Sequence, residues 1–352
     1  MGKKFISITM VCLMALMSIS SASYSLNQET QISDLSERIE VSNVIMPIGQ
    51  LNVAGFQEGS IYTNSTLSSG GDHTCAIIDN GSVSCWGLGS KGQLGNGEIS
   101  TQYSPTLVTG LGVGRTAVGI SVGYSHSCAV LDNGEVACWG ENNVGQLGNG
   151  GNSDSSIPTL TNSLGVGRTA VEVSAAMAHT CAILDDGSVV CWGSGNYGQL
   201  GNGANYDTTS PLLTSALGSG QSAIALSSGG YHSCAVLDNG EVVCWGFGGN
   251  GQIGNGVTSN VNTPTLTNSF GSGRIAVGIT TGEYFSCALL NDGSVACWGN
   301  GGNGQIGNGG TSQVNTPTQT SGFGQGVTVT AISSGNRFVC AILDNTDMAC
   351  WG

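Results

Sequence analysis

The run Ser127-Cys128-Ala129-Val130-Leu131-Asp132-Asn133-Gly134-Glu135-Val136-Ala137-Cys138-Trp139-Gly140 reads as two short strands folded back on each other. Both flanks are rich in small or β-branched apolar residues, and Asp132-Asn133-Gly134 supplies turn chemistry ending in a glycine free to go left-handed. Counting back from that turn sets Leu131 against Glu135, Val130 against Val136, Ala129 against Ala137 and Cys128 against Cys138. With Leu131 and Glu135 as the hydrogen-bonded pair beside the turn, alternation makes the cysteines a non-hydrogen-bonded pair, where side chains come closest. Their sulfurs are then within reach of a bridge.

Upstream, Ala117, Val118 and Ile120 form a further short strand that Gly123 ends. Downstream, Glu141 to Gly150 is a glycine-rich loop, and Pro158 then marks a segment suited to a sheet edge. The unit thus carries four short antiparallel strands. It recurs every 53 residues, most visibly in paired cysteines: Cys75 with Cys85, Cys128 with Cys138, Cys181 with Cys191, Cys234 with Cys244, Cys287 with Cys297 and Cys340 with Cys350. Every tryptophan follows a second cysteine (Trp86, Trp139, Trp192, Trp245, Trp298, Trp351). The loop returns as Gly92 to Gly97, Gly198 to Gly203, Gly251 to Gly256 and Gly304 to Gly309, and the proline as Pro105, Pro211, Pro264 and Pro317. Four strands per unit at this period is the arithmetic of a β-propeller blade. The expected fold is all-β, a propeller of four-stranded antiparallel blades, about six of them visible.

The loop Gly145-Gln146-Leu147-Gly148-Asn149-Gly150, together with the run from His126 through Trp139-Gly140, resembles the regulator of chromosome condensation repeat over about residues 67–352. The resemblance implies a closed ring, typically of about seven blades. It also implies a structural histidine near the inner strands of each unit. For the family's namesake the activity is nucleotide exchange on a small GTPase. Here the first of the visible units looks incomplete, and the sequence stops at Trp351-Gly352, directly after a third strand. Either residues 27–66 supply a degenerate blade and a closing strand, or more repeats follow. An apolar edge left uncovered at a repeat boundary favours the second.

Disulfide and zinc readings compete for the twelve repeated cysteines. His73, His126, His179 and His232 each precede a first cysteine by two residues, which is a metal-like hint. The last two units carry Phe285 and Phe338 there, yet keep their cysteine pairs. Constant, even spacing in an exported chain favours bridges that staple blades and do no chemistry. The glycine-rich loops lack the lysine and following helix of a phosphate cradle and nearly lack aspartate, so phosphate and calcium are both disfavoured. No metal and no cofactor is expected.

Residues 1–23 have the pattern of a secretory signal peptide: Lys3 and Lys4, an apolar run from Phe5 to Ile19, then small residues. Cys12 lies inside that run and would leave with it. Residues 24–63 read as an N-terminal segment, a linker or a degenerate first blade, and residues 64–352 as the repeats. Losing Lys3 and Lys4 takes the net charge from −14 to −16. That balance opposes nucleic acid and anionic lipid as partners, and no later segment is apolar for long enough to insert into a membrane.

Ten of the 22 acids lie at or beside the hairpin tips: Asp79, Asp132, Glu135, Asp185, Asp186, Asp238, Glu241, Asp292, Asp344 and Asp347. Equivalent tips of a propeller share one face. Asp79, Asp132, Asp185, Asp186, Asp238, Asp292 and Asp344 are therefore a candidate acidic binding face, set against the plainer reading that Asp-Asn-Gly is good turn chemistry. Arg115, Arg168 and Arg274 share one repeat position and read as solvated loop cations. The function expected from these features is a secreted, non-enzymatic module that binds a protein or a cell-surface polymer. The alternatives are exchange on a GTPase, which export and acidity oppose, and a propeller lyase or hydrolase, for which no nucleophile, base and orienting group stand out.

Overall fold

The structure, a computed structural model, describes residues 66–352. The expected leader over residues 1–23 and the segment 24–63 lie outside the described residues. The chain divides into two units, and the second, Gly59–Gly352, holds every strand found among the described residues. Five four-stranded antiparallel sheets are followed by one of three strands, and among the described residues there is no helix. Blade 1 comprises Leu67–Ser69, His73–Ile77, Val83–Gly87 and Gln102–Leu107. Blade 2 comprises Ala117–Val122, His126–Leu131, Val136–Gly140 and Ser155–Leu160. Blades 3, 4 and 5 repeat this plan from innermost strands Ala170–Ala175, Ala223–Ser228 and Ala276–Thr281. Blade 6 has Val329–Ser334, Val339–Leu343 and Met348–Trp351. The first unit, expected to be incomplete, has all four strands, its innermost one being short.

The first strands of successive blades pack on one another from blade 1 to blade 6, which places them innermost. A row of hydroxyls fastens them. Ser68, Ser121, Ser174 and Ser227 accept the backbone N–H of Val122, Ala175, Ser228 and Thr281 in the next blade at 2.9–3.0 Å, and Thr280 does the same for Ser334 at 3.0 Å. Each such bond satisfies an amide on the open side of an innermost strand, which has a ladder partner on one side only.

The hairpin register follows the turn. Cys128 faces Cys138 and Val130 faces Val136, and the Leu131 amide donates to Glu135 at 2.9 Å. The same pairing recurs in every blade, and all six cysteine pairs are bridged. Cys75 is joined to Cys85, Cys128 to Cys138, Cys181 to Cys191, Cys234 to Cys244, Cys287 to Cys297 and Cys340 to Cys350. Their Cα atoms lie 4.0–4.1 Å apart, as a non-hydrogen-bonded pair requires. Cys85, Cys244 and Cys297 are fully buried, whereas Cys350, on the outermost strand of blade 6, is exposed.

The hydrophobic core lies between blades. One cluster joins Cys128, Val130, Val136 and Cys138 of blade 2 to Val173, Leu184 and Trp192 of blade 3. Alternation along the third strand explains it: each cysteine points toward the following blade, and the adjoining tryptophan toward the preceding one. The indole N–H of Trp192 donates to the Gln146 carbonyl at 2.9 Å, and Trp139, Trp245, Trp298 and Trp351 use Gln93, Gln199, Gln252 and Gln305 in the same way. The glycine-rich loop is therefore a seat for the next blade's indole. Gly148, at φ 70°, shows why: a Cβ there would lie 2.7 Å from Trp192 Nε1.

At the hairpin tips Gly81, Gly134, Gly187, Gly240 and Gly293 take φ between 75° and 79°. Blade 6 puts Thr346 in that position, at φ 73°, where a β-branched residue is strained. Thr346→Gly is expected to raise stability by about 1 kcal/mol despite the more flexible unfolded chain. Urea denaturation of the pair of proteins measures it, and an unchanged or lower midpoint would show that the strain is relieved elsewhere.

Candidate functional site

The hairpin tips form one face, and the tips of blades 1 to 5 are each tied to the following blade. The carbonyls of Gly81, Gly134, Gly187, Gly240 and Gly293 accept the N–H of Ala117, Ala170, Ala223, Ala276 and Val329 at 2.8–2.9 Å. The tip acids are thus held on a rigid rim, but they are not equivalent. Arg115 lies 3.5 Å from Asp132, Arg168 reaches Asp185 at 3.6 Å and Asp186 at 2.7 Å, and Arg274 meets Asp292 at 2.7 Å. The arginine column, expected to be merely solvated, pairs with the tips of its own blades, because the chain enters each blade beside the turn that closes its hairpin. Serine and arginine together hold the Asp292 carboxyl down at about 2, and Ser188 followed by Arg168 lower that of Asp186. Asp79, Asp238 and Asp344 have no ion pair among the described residues; Asp344 accepts only the Thr328 hydroxyl, at 2.9 Å. Blades 4 and 6 carry Gln221 and Val327 where blades 2, 3 and 5 have arginine. Counting Glu135, Glu241 and Asp347 with the tip aspartates, the excess of acid on this face is greatest on blades 4 and 6, which have no paired arginine, and is nil on blade 5.

The histidines lie between blades rather than converging. Nε2 of His73, His126, His179 and His232 bonds Ser127, Thr180, Ser233 and Ser286 of the next blade at 2.8–2.9 Å. In every case Nδ1 is buried without a partner among the described residues. Burial lowers their pKa values to about 3, 4, 3 and 3 respectively. A general base is most effective when its pKa lies near the working pH, so these imidazoles are set as neutral packing groups at neutral pH. Blade 5 shows the apolar version of the joint, with Phe285 in the histidine position and Val339 in the hydroxyl position of blade 6.

The opposite face carries an aromatic cluster. Tyr197 and Tyr231 approach edge to face at 5.4 Å between ring centres, Phe247 lies 5.2 Å from Tyr197, and Tyr284 stacks on Tyr231 at 5.7 Å. Desolvation first, then the neighbouring Glu283 carboxylate, pushes the Tyr284 phenol up to about 12. Tyr231 and Tyr284 share one repeat position, while Tyr197 and Phe247 fill two others in which no other unit carries a ring, so the period announces only half of the cluster.

The axis holds what reading the repeats one at a time misses. A cavity of about 240 Å³ opens between the innermost strands of blades 1 to 5, lined by Ser68, Gly119, Ser121, Glu172, Ser174 and Ser227 among others. Glu172 is its one charged residue. The corresponding positions are Thr66, Gly119, Ala225, Gly278 and Ala331, so stacking the repeats at 53 residues would have singled it out. Its Oε2 is shut off from solvent and has no hydrogen-bond partner among the described residues. Burial raises the carboxyl to about 8, while the Leu226 amide donates to it and pulls the other way. Glu172, Ser68, Ser121 and Ser227 each keep some exposure as residues, so the cavity communicates with solvent.

A family model described as the RCC1-like domain matches residues 47–352. The ultraviolet-B receptor UVR8 of Arabidopsis thaliana is 32% identical over 292 residues, which are 82% of this chain and 64% of the receptor. The E3 ubiquitin-protein ligase HERC2 of Mus musculus is also 32% identical, over 66% of this chain but 5% of that protein. The chain thus spans less than two thirds of the length of these curated relatives. Among solved structures, Prp20p of Saccharomyces cerevisiae superposes with a TM-score of 0.71 at 22% identity, covering 81% of this chain and 71% of that one. Its description concerns binding to Gsp1p and histones, and yeast RCC1 (Prp20) bound to Kap60 superposes equally well, at 0.71. At this identity the likeness concerns the fold.

Proposed function

The chain belongs to the RCC1-like domain family, and from that membership we propose that it is an exported, non-enzymatic propeller that binds a protein or a cell-surface polymer. Six disulfides fit an oxidising compartment, and the pattern of residues 1–23 supplies the export route. Relatives of known structure are described as binding proteins, which supports recognition rather than turnover as the work of this fold. Exchange on a cytosolic GTPase is the weaker reading, because the same bridges suit a reducing compartment poorly.

One observation carries the choice of face: the hairpin tips of blades 1 to 5 are stapled to the next blade, and the rim keeps an excess of acid that is greatest on blades 4 and 6. Preorganised like charges on a rim select a basic partner and speed its encounter. With the oxidised protein immobilised, an envelope fraction or a secreted protein should be retained at low salt and released as salt rises. The triple variant Asp79→Lys, Asp238→Lys, Asp344→Lys should lower that retention at least about tenfold, through the association rate. No retention on any fraction would count against the binding reading, and retention unaffected by the variant would move the site to the aromatic face.

A further inference from the structure

We propose that the axial cavity is a receptor site for one primary ammonium group, with Glu172 as its counter-ion and the hydroxyls of Ser68, Ser121, Ser174 and Ser227 as neighbouring acceptors. This goes beyond the rim: it concerns a different surface and a different ligand chemistry. The starting point is an uncompensated group. An innermost strand of this fold needs no carboxyl at this position, since the equivalent residues are threonine, glycine or alanine. Leaving a buried carboxyl oxygen without a partner is costly, and a perturbed acid lining a cavity is the ordinary mark of a ligand site.

The chemistry narrows the ligand. Hard divalent cations need several charged oxygens, and zinc needs nitrogen or sulfur; this cavity offers one carboxylate and hydroxyls. Guanidinium binds best to two free carboxylate oxygens, but the Leu226 amide already engages the group and Oε2 alone is unpartnered. An ammonium offers three donors around a compact charge, and matches one carboxylate oxygen plus hydroxyl lone pairs. The oxygens of Ser68, Ser121 and Ser174 each accept one backbone amide and have a second lone pair left, while that of Ser227 accepts one amide and also bonds the Thr281 hydroxyl at 2.8 Å. At about 240 Å³ the space suits a short alkylamine or the tip of a lysine, being smaller than a typical drug-sized pocket of about 300–1,000 Å³.

Occupancy has a proton signature. The residues that face Glu172 from blades 1, 2, 4 and 5 include no other titratable or charged group. The free carboxyl holds its proton up to about pH 8, so binding below that point converts COOH and RNH₃⁺ into a carboxylate–ammonium pair and releases one proton to solvent. The test uses n-propylamine and N-acetyl-lysine methylamide as probes, both still largely protonated at pH 9, with affinity and proton release read by calorimetry in buffers of different ionisation enthalpy. Binding at pH 9 should weaken about 100-fold at pH 6, roughly tenfold for each pH unit below the carboxyl pKa. Glu172→Gln, which keeps the shape of the protonated acid, should lose at least about tenfold at pH 9 and lose the pH dependence. Both probes binding would assign the site to a lysine tip as well as a free amine; propylamine alone would assign it to a small molecule. Absence of binding by either at pH 9, or equal affinity in Glu172→Gln, overturns the proposal. Should the variant fail to fold, the pH profile of the native protein decides alone.

Discussion

Lowering the pH from 6.5 to about 4 is expected to unfold this protein, through four histidines buried between its blades. His73, His126, His179 and His232 have pKa values of about 3, 4, 3 and 3 in the folded chain, against about 6.5 once unfolded. The unfolded state therefore takes up protons first as the pH falls, and folding stability drops from pH 6.5 until the folded values are reached. By pH 4.5 each histidine costs on the order of 2–3 kcal/mol, and four together approach the ~5–15 kcal/mol that hold an ordinary domain. Glu172 acts with the opposite sign. Its raised folded pKa of about 8 means that its contribution is present below about pH 4.5 and is lost as pH rises to 8. Stability should thus peak near pH 6–7 with a steep acid limb and a shallow alkaline one. The sequence itself supplies the control. His179→Phe with Ser233→Val copies the Phe285–Val339 joint of blades 5 and 6, and should remove about one proton from the acid uptake while keeping the fold. Urea midpoints at pH 7, 5.5 and 4.5 measure both limbs; a flat profile would contradict the burial of neutral imidazoles.

Reduction of the six bridges should have an effect of similar size. Each closes a loop with a sequence separation of 10, for which loop-closure entropy gives about 2–3 kcal/mol. The cysteines of blades 1 to 5 are fully buried, so millimolar reductant should act on those bridges in the native protein only as fast as blades open. The bridge from Cys340 to Cys350 has an exposed end and should be the first to go. Chain that has been unfolded, reduced and returned to native buffer should stay unfolded until it is reoxidised. Removing one bridge, by Cys181→Ala with Cys191→Ala, should cost about 2–3 kcal/mol in urea denaturation. A reduced chain that refolds with an unchanged urea midpoint would show that packing between blades suffices without sulfur.

What the residues reveal on their own is local or periodic. The turn Asp132-Asn133-Gly134 fixes the hairpin register, which fixes the meeting of Cys128 with Cys138, because cross-strand pairing in a tight hairpin is counted from its turn. The edge position of Pro158 and the inter-blade role of Trp192 follow equally directly. What stays hidden is contact between units. That His126 meets Thr180 depends on the packing angle of two sheets, which no spacing encodes. The Arg168 pair with Asp186 is similar, since it joins the entry of a blade to its tip. Tyr231 and Tyr284 share one column, but Tyr197 and Phe247 join them from two others where no other unit repeats the ring, so the cluster leaves only half a pattern. Glu172 is a different failure: one charge in a column of small residues was legible, but a strand read singly makes it look like an ordinary solvent-facing position.

Differential alkylation with peptide mass mapping, on protein purified natively without reductant, tests the central claim most directly. The account predicts six bridged peptides and no zinc in the sample. They join Cys75 to Cys85, Cys128 to Cys138, Cys181 to Cys191, Cys234 to Cys244, Cys287 to Cys297 and Cys340 to Cys350. Free thiols in folded protein, bridges running between blades, or stoichiometric metal would contradict it.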